Sequence, residues 1–233
     1  MTGDAYAVTP LNRVKRLHEK ARYDQAAVHG VIDATPMAHI GYAIDSQPFA
    51  TPTLVWRQGG ALYWHGSSAS RMVRHLAPGA PACVTFTLLD GLVMARSGFN
   101  HSVLYRTAMC FGTARLVTDP DEKAAQLLMA VDRFFPGRSA ALRPISAQET
   151  KATGLIRLDI ESAVAKIADG GVEDEAEDYT HPVWAGIIPL TTVIGPAIAD
   201  ERLMPGVTEP GAGLQAYRPG RRLDEVVAEA AGE

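Results

Sequence analysis

The chain has 233 residues, a mass of 24.9 kDa and a formal net charge of −4, from 22 Lys and Arg residues against 26 Asp and Glu residues. Hydrophobic residues make up 47% of the chain and charged residues 21%, which excludes collagen-like, low-complexity and wholly disordered proteins. A single domain of this mass buries about 72% of the surface of its unfolded chain, so folding needs neither a disulfide nor a metal. The near-neutral charge predicts no nucleic acid partner.

The cysteine content and the N-terminal segment bear on the compartment. Cys83 and Cys110 lie far apart in apolar surroundings, which fits a reducing compartment and excludes a zinc site built from cysteine alone. The first 20 residues are polar where a signal peptide needs an apolar core, and no apolar run approaches the length of a membrane span. We therefore expect a cytoplasmic protein with no membrane partner.

The first predicted element is helical and covers residues 10–34. Leu11, Val14 and Leu17 recur every three residues, and Asp24 is a suitable N-cap for a second helical stretch. Further helices are predicted at residues 70–76, 119–135 and 223–231. The last of these belongs to a region rich in Gly and Pro, which we interpret as a largely peripheral extension.

Between these helices the sequence changes to short β-branched and aromatic runs separated by turn signals. An Asp-Gly pair at residues 90–91 is predicted to be a hairpin turn. Strands with such regular spacing indicate an antiparallel sandwich or barrel. The predicted strands cover residues 38–44, 49–57, 61–65, 82–89, 92–96, 104–118 and 154–168.

Common catalytic and nucleotide-binding motifs are absent from the sequence. It contains no GxGxxG, GxxxxGK[ST], HExxH or GxSxG motif, and none of its seven histidines forms a pair at the helical spacing of a metal site. We therefore expect no metal site.

The turn at residues 66–71 has the composition of an anion site. A predicted strand ends here in small residues with hydroxyl groups, and Ser67, Ser68 and Ser70 can donate to an anion. Arg71 can contact phosphate oxygens with two parallel hydrogen bonds. The alternative is an ordinary strand-to-helix turn in which Ser70 caps the helix and Arg71 lies in solvent, and the spacing alone favours neither.

Three segments together carry a resemblance to a known family. They are residues 49–55 (FATPTLV), residues 62–67 (LYWHGS) with the Ser-Arg pair that follows, and residues 105–114 (YRTAMCFGTA). In order and spacing they resemble the pyridoxamine 5′-phosphate oxidase-like superfamily of FMN-binding split barrels. The resemblance is greatest to its nitroimidazole-resistance-type branch, also called flavin-nucleotide-binding proteins, and it covers roughly residues 13–190.

The resemblance implies a fold and an assembly. The fold would be mainly β with flanking α-helices, a six-stranded antiparallel split β-barrel over residues 1–190, followed by a peripheral extension at residues 191–233. The protein would be a homodimer with one FMN at each of two clefts between the subunits.

The resemblance also implies which residues contact the cofactor. Thr53 and Leu54 would offer backbone groups to the polar rim of the isoalloxazine ring, and Ser67, Ser70 and Arg71 would hold the phosphate. The full set is Pro52, Thr53, Leu54, His65, Gly66, Ser67, Ser70, Arg71, Tyr105, Arg106 and Trp184.

Four of these residues have a second interpretation. His65 is the implied catalytic residue, because an imidazole with a pKa near about 6.5 can exchange the proton that accompanies hydride transfer; alternatively it is a strand-end histidine bonded to a carbonyl. Tyr105 and Arg106 would line the strand on the dimer side, or form an ordinary cross-strand pair. Trp184 would cover the cleft from either subunit, or serve in packing.

The chain departs from the vitamin B6 oxidases of the superfamily. Met72 stands where those oxidases have a Lys after the Ser-Arg pair, and residues 51–53 replace the Arg of their second strand. The C-terminal Arg-x-His pattern that recognises pyridoxal phosphate is also absent. We therefore do not expect oxidation of vitamin B6.

The expected activity is that of an FMN-dependent oxidoreductase. The flavin would take a hydride from a reduced nicotinamide and pass electrons to a small acceptor, such as a nitroaromatic compound, a quinone-like compound or dioxygen. Two other hypotheses stay open: a flavin-binding protein without catalysis, and a haem-binding or haem-degrading split barrel with His101 or His181 as the axial ligand.

Overall fold

The computed structural model describes residues 4–207, 210–211 and 214–232. Over these residues the strands are β1 (Ala21–Arg22), β2 (Met37–Ile44), β3 (Gln47–Gln58), β4 (Ala61–Ser67), β5 (Ala80–Met94), β6 (Ser102–Leu116), β7 (Thr153–Asp159), β8 (Ser162–Ala168) and β9 (Gly186–Pro189). The α-helices are α1 (Gln25–Asp33), α2 (Arg71–Leu76), α3 (Pro120–Phe134), α4 (Ala147–Ala152) and α5 (Leu223–Ala231).

The strands form one antiparallel sheet that closes on itself. Its order is β1-β8-β6-β7-β4-β3-β2-β5-β9, and β5 also pairs with β6 along most of its length. Strands β2 to β7 therefore form a ring of six, as expected for a mainly β fold with flanking helices.

The main core fills the inside of this ring. Side chains that alternate along each strand point inward, and Ile40, Val84, Phe86, Trp64 and Ile156 are almost completely buried there. Each such side chain stabilises the fold by about 1.5–3 kcal/mol through its burial. Apolar residues of α1 and α2 belong to the same cluster.

The outer surface of the ring is covered on one side only. Over β3, β4 and β7, helices α3 and α5 pack on a second apolar cluster that includes Trp56, Tyr63, Leu155, Phe134 and Val227. Over β2, β5 and β6 the outward side chains are exposed or half-buried. We call this second surface the open face; it consists of Met37, His39, Thr85, Thr87, Leu89, Tyr105, Thr107 and Met109.

The predicted helix at residues 10–34 is wrong in its first half. Only α1 is an α-helix, and its N-cap is the predicted Asp24, whose Oδ1 accepts from the amide of Ala27 at 2.8 Å. The preceding segment is held in an irregular course by Asn12, which is 1% exposed and donates to the carbonyls of Ala7 and Ala163, both at 2.9 Å. These tertiary contacts outweigh the apolar periodicity.

Two strand predictions also need correction. The Asp-Gly pair does not form a hairpin turn, because β5 continues to Met94 and the register shift between Leu89 and Gly91 makes Asp90 a β-bulge. The predicted strand at residues 154–168 is two strands, β7 and β8. Between them the amides of Ile160 and Glu161 donate to carbonyls of other parts of the sheet, at 2.9 and 3.0 Å.

The C-terminal helix has the predicted bounds and packs on the ring. Val226 and Val227 are each 1% exposed, and the guanidinium of Arg133 in α3 donates to the carbonyl of Val227 at 2.6 Å. A domain boundary at residue 190 stays a prediction. Among the residues placed by the structure, no helix is both long and apolar enough to span a bilayer.

Candidate functional site

An opening lies between β3 and β4, where two paired strands separate. The two strands are bonded only from Val55 to Gln58 and from Ala61 to Trp64, and beyond this point β4 pairs with β7 alone. Residues 52–54 and 65–67 therefore flank a gap in the ring, which we call the β3–β4 opening. It brings two of the predicted site segments together.

One wall of the opening is the backbone of β3. The amide of Val55 donates to the carbonyl of Pro36 on the β2 side at 3.0 Å. Because backbone groups of successive strand residues point to opposite edges, the amide and carbonyl of Leu54 face the opening, as predicted for the flavin rim. Those of Thr53 face β2, where Thr53 pairs with Ala38. Pro52 lies outward beside them and has no amide proton to donate.

The other wall is the end of β4, where His65 points outward. Its ring lies 6.1 Å from the ring of Trp56, centroid to centroid, and the Nε1 of Trp56 donates to Gln126 at 3.2 Å. Burial lowers the pKa of His65 below its ordinary value of 6.5, so the imidazole is neutral at pH 7. It makes no side-chain hydrogen bond with any residue that the structure describes.

The turn from β4 to α2 supplies hydroxyl groups. Ser70 is the N-cap of α2, and its Oγ accepts from the amide of Val73 at 3.3 Å, while the Oγ of Ser67 accepts from the amide of Ala69 at 3.2 Å. Each hydroxyl still has its own proton to donate. Capping and anion binding are therefore compatible in this turn.

The turn is held against the end of α4 and the start of β7. The amide of Ser68 donates to the carbonyl of Ala152 at 2.8 Å. Gly66 and Gly154 pair across the two strands, and a Cβ at Gly154 would overlap the side chain of Val73 in α2. Only glycine at this position lets α2 approach β7 so closely.

Arg71 begins α2 and packs against β3 at Phe49. Its guanidinium carbon lies 4.1 Å from the centre of the Phe49 ring on β3, and Phe49 stacks in turn on Tyr42 at 5.5 Å. Arg71 is exposed and has no ion-pair partner in the described part of the chain. Its charge is therefore available for an anion, while stacking fixes its position.

Arg106 and Tyr105 lie on β6, away from this opening within one chain. Arg106 donates to Asp90 through Nε at 2.9 Å and Nη2 at 2.7 Å, and to Asp224 at 2.8 Å. These hydrogen bonds raise the pKa of Arg106 above its ordinary value. Because the guanidinium already binds two carboxylates of the protein, it is not available to bind a ligand. Tyr105 pairs with Leu89 on the open face.

Trp184 lies near the C-terminal end of β5, whereas the turn from β4 to α2 lies near the other end of that strand. It precedes β9, which pairs with Gly91–Met94, and its ring packs so closely on Gly186 that a Cβ there would be 2.7 Å from the ring. The side chain is 63% exposed. Within one chain, Trp184 therefore lies away from the β3–β4 opening.

His39, which no sequence motif singled out, stands on the open face. The residue is exposed, and it lies between the buried residues Ala38 and Ile40 on β2. A polar residue flanked by two apolar ones is the available signal, since alternation along a strand places it outward.

Of the histidines proposed for haem, His101 bonds through Nδ1 to the carbonyl of Ser97 at 2.8 Å, and His181 is exposed in a loop.

A family model described as pyridoxamine 5′-phosphate oxidase matches residues 24–167, more than half of the chain. The chain belongs to the pyridoxamine 5′-phosphate oxidase family. This confirms the family suggested by the sequence motifs. No curated protein matches the chain.

Solved structures of this family extend the comparison. The flavocytochrome Anf3 from Azotobacter vinelandii is 42% identical, with a TM-score of 0.85 over 91% of this chain and 98% of that one. A FAD- and haem-binding protein from Mycobacterium smegmatis is 35% identical, with a TM-score of 0.82 over 88% of this chain and 98% of that one. A candidate 5-nitroimidazole antibiotic resistance protein from Bacteroides thetaiotaomicron VPI-5482 is 18% identical, with a TM-score of 0.50 over 63% and 86%, and shares the fold.

Proposed function

We propose that this protein is a homodimeric redox protein that binds a flavin, specifically FAD, together with haem. The observation that carries the proposal is the likeness to two structures that are at least 35% identical over about nine-tenths of the chain, one a flavocytochrome and the other a FAD- and haem-binding protein. The expectation of FMN came from a resemblance to the nitroimidazole-resistance-type branch, whose solved relative is only 18% identical. FAD therefore replaces FMN in the proposal.

The β3–β4 opening has the groups that a flavin needs. The backbone of Leu54 supplies a donor and an acceptor for the polar rim of the ring system, and Ser67 and Ser70 supply hydroxyl donors for phosphate. Arg71 adds a positive charge that no described carboxylate neutralises. A charge-assisted hydrogen bond to phosphate contributes about 1.5–3 kcal/mol.

His65 has a separate role beside the ring system. A bound flavin would supply hydride acceptance from a reduced nicotinamide, and a bound haem would supply one-electron transfer to dioxygen or a small organic acceptor. The neutral imidazole of His65 takes up or returns the proton that accompanies the hydride step. The Trp56 ring lies beside the imidazole, with 6.1 Å between the ring centroids.

The open face supports the homodimer. Met37 and Leu89 are 49% and 50% exposed, Met109 is a third apolar side chain of the face, and its other residues are uncharged polar ones and His39. A second copy on this face would remove these apolar groups from water and exclude water from the adjacent cofactors. The free thiols Cys83 and Cys110 fit the cytoplasm as the place of action.

The test is the visible spectrum of the purified protein, before and after addition of hemin, with chromatography of the released flavin. The proposal expects flavin bands and a Soret band, release of FAD rather than FMN, and loss of the flavin bands on anaerobic addition of NADH or NADPH. A protein that binds flavin but never haem contradicts the haem half. Flavin bands that never bleach with either nucleotide contradict nicotinamide oxidation and favour a flavin carrier.

A further inference from the structure

We propose that a cavity between the β3–β4 hairpin and the ends of helices α3 and α5 binds a small organic carboxylate, with its anionic group beside Arg133. The cavity has a volume of about 480 Å³, which is within the range of small-molecule sites. Its lining residues are not among those that flank the β3–β4 opening or form the open face. The inference therefore goes beyond the proposed function and is tested without reference to flavin or haem.

The cavity lining combines apolar and charged groups. Trp56, which is 1% exposed, and Met129 of α3 contribute apolar surface. Arg57 and Arg133 contribute cations, and Asp132 contributes a carboxylate. A ligand with an apolar body and one anionic group suits such a lining if the cations are not already neutralised.

Arg133 has a hydrogen-bond donor that the protein does not use. Its side chain is 7% exposed, and its guanidinium donates through Nη1 to the carbonyl of Val227 at 2.6 Å and through Nη2 to the carbonyl of Asp33 at 3.0 Å. Its Nε is also buried, but it has no hydrogen-bond partner in the part of the chain that the structure describes. A buried donor without an acceptor is costly, and a carboxylate in the adjoining cavity would supply the acceptor.

The charge of Arg133 is only partly neutralised by the protein. Its ion-pair partner Asp33 lies 3.7 Å from its Nη2, but Arg57 holds the same carboxylate more closely, at 2.5 Å. Two guanidinium groups thus share one carboxylate, and all three side chains are largely buried. Burial lowers the pKa of Arg133 below its ordinary value, because the charged form has lost its water. This group lacks a second anion.

The carboxylate of Asp132 does not take that place. Its Oδ1 accepts from the amide of Ser139 at 2.8 Å, and its Oδ2 accepts from the hydroxyl of Ser139 at 2.5 Å. Asp132 and Arg133 are consecutive on α3, so their side chains leave the helix about 100° apart. The partial negative charge at the carbonyl end of α5 is met by the hydrogen bond from Arg133 to Val227.

Other parts of the molecule do not combine a cavity with an unused donor in this way. The cavity of about 350 Å³ beside Arg106 contains two arginines, but Arg106 and Arg222 both bind carboxylates of the protein. Another buried donor without a partner among the described residues is the Nε1 of Trp64, which lies among apolar side chains inside the ring. The cavity at Arg133 is therefore the best candidate for an anion.

The experiment titrates the full chain with benzoate, phenylacetate and octanoate by isothermal titration calorimetry. The amide of each acid is the matched neutral probe. We expect saturable binding of at least one carboxylate, with its amide binding at least about tenfold more weakly, because the amide lacks the charge that Arg133 recognises. Absence of saturable binding by all three carboxylates overturns the proposal, and so does equal binding of acid and amide.

Two kinds of variant locate the site, with thermal unfolding as the check on folding. Arg133→Met removes the cation and should weaken carboxylate binding at least about tenfold, whereas Arg133→Lys keeps the charge and should lose less. Ala231→Phe fills the cavity from the end of α5 and leaves Arg133 in place. It should abolish binding, so the proposal stays testable if Arg133→Met fails to fold.

Two controls should bind the carboxylate as the wild type does. Ala26→Phe makes the same change at an exposed position of α1, and Arg71→Ala removes the exposed cation assigned to the flavin phosphate. Carboxylate binding that persists in Ala231→Phe overturns the proposal. Binding that is lost in Arg71→Ala instead would place the carboxylate in the flavin site and would also overturn it.

Discussion

Arg106 on β6 binds the carboxylate of Asp90, the bulged residue of β5, with two hydrogen bonds of 2.9 and 2.7 Å. The same guanidinium donates to Asp224 of α5 at 2.8 Å. One cation thus joins the bulge of the sheet to the C-terminal helix. Beside it lies a cavity of about 350 Å³ that reaches Thr87 and Leu89 at the edge of the open face.

Arg106→Ala is expected to lower the free energy of unfolding by about 1–3 kcal/mol, because Asp90 loses both hydrogen bonds from Arg106 and Asp224 keeps only those from Arg222. The matched control is Arg115→Ala on the same strand. Its ion pair with Asp159 is 50% and 42% exposed, so its loss should cost less than about 1 kcal/mol. Urea unfolding, monitored by tryptophan fluorescence, measures the loss of unfolding free energy in both variants. Equal losses would show that the Arg106 network contributes no more stability than an exposed ion pair.

The pKa of Asp224 sets the pH at which the network begins to lose its contribution to stability. Partial burial raises the pKa of Asp224, but the hydrogen bonds from Arg222 and Arg106 outweigh burial and lower the pKa from 3.8 to about 2. The stability that this carboxylate contributes is therefore complete above pH 4 and is lost as the pH falls toward 2. Asp224→Asn should be less stable than the wild type at pH 7 and should lose less stability between pH 4 and pH 2. Parallel acid-unfolding curves for the two proteins would contradict this.

Arg71→Ala is expected to weaken flavin binding by about 1.5–3 kcal/mol, because a charge-assisted contact to phosphate is removed. Arg74→Ala, three residues later on the same helix and also exposed, is the control and should leave the dissociation constant unchanged. Phe49→Leu removes only the ring under Arg71 and should give a smaller loss. Fluorescence titration of the apoprotein with FAD measures all three. An unchanged constant in Arg71→Ala would remove this residue from the site.

His65→Ala should lower turnover more than it lowers flavin affinity, because the imidazole handles a proton rather than holding the cofactor. Since burial lowers the pKa of His65 below 6.5, wild-type turnover should stay level from pH 8 down to about 6.5 and then fall as the imidazole is protonated. The variant should lack this acid decline. Steady-state rates with NADH across pH 5–8 test the prediction, and equal losses of rate and affinity would make His65 a binding residue.

Leu89→Glu should break the proposed homodimer, because it places a charge on the open face where the side chain is 50% exposed in one chain. The monomer should release its flavin, since in the proposed dimer both copies form the cleft. Phe99→Glu is the control: this side chain is 90% exposed in the connection between β5 and β6, outside the open face. Light scattering and flavin absorbance after gel filtration measure both effects. A Leu89→Glu monomer that keeps its flavin would refute a site between subunits.

Much of the fold follows from local signals in the sequence. Asp24 caps α1 as predicted, and Ser70 caps α2 as in one of the two interpretations of its turn, because a cap depends only on residues within one turn of the chain. Strands β2 to β4 and the helix at residues 223–231 also match, since alternation and apolar spacing are local properties. The family itself was evident from three short motifs.

The errors in the predicted elements have long-range causes. Asn12 holds the N-terminal segment through Ala163, which lies 151 residues away, and this contact replaces a helix. Asp90 stays within a strand because Arg106 on the neighbouring strand binds it, although an Asp-Gly pair favours a turn.

For the site, the sequence determined the residue types at the turn and on β3, including Leu54, Ser67 and Arg71, and it determined that the fold would be mainly β. Only the tertiary structure decided that β3 and β4 separate beyond Val55, that Arg106 is bound to carboxylates, and that His39 stands on an uncovered face. The physical reason is that strand pairing, ion pairs and helix cover join residues far apart in the chain. A local pattern specifies what a side chain can do, and the closed sheet specifies what it faces.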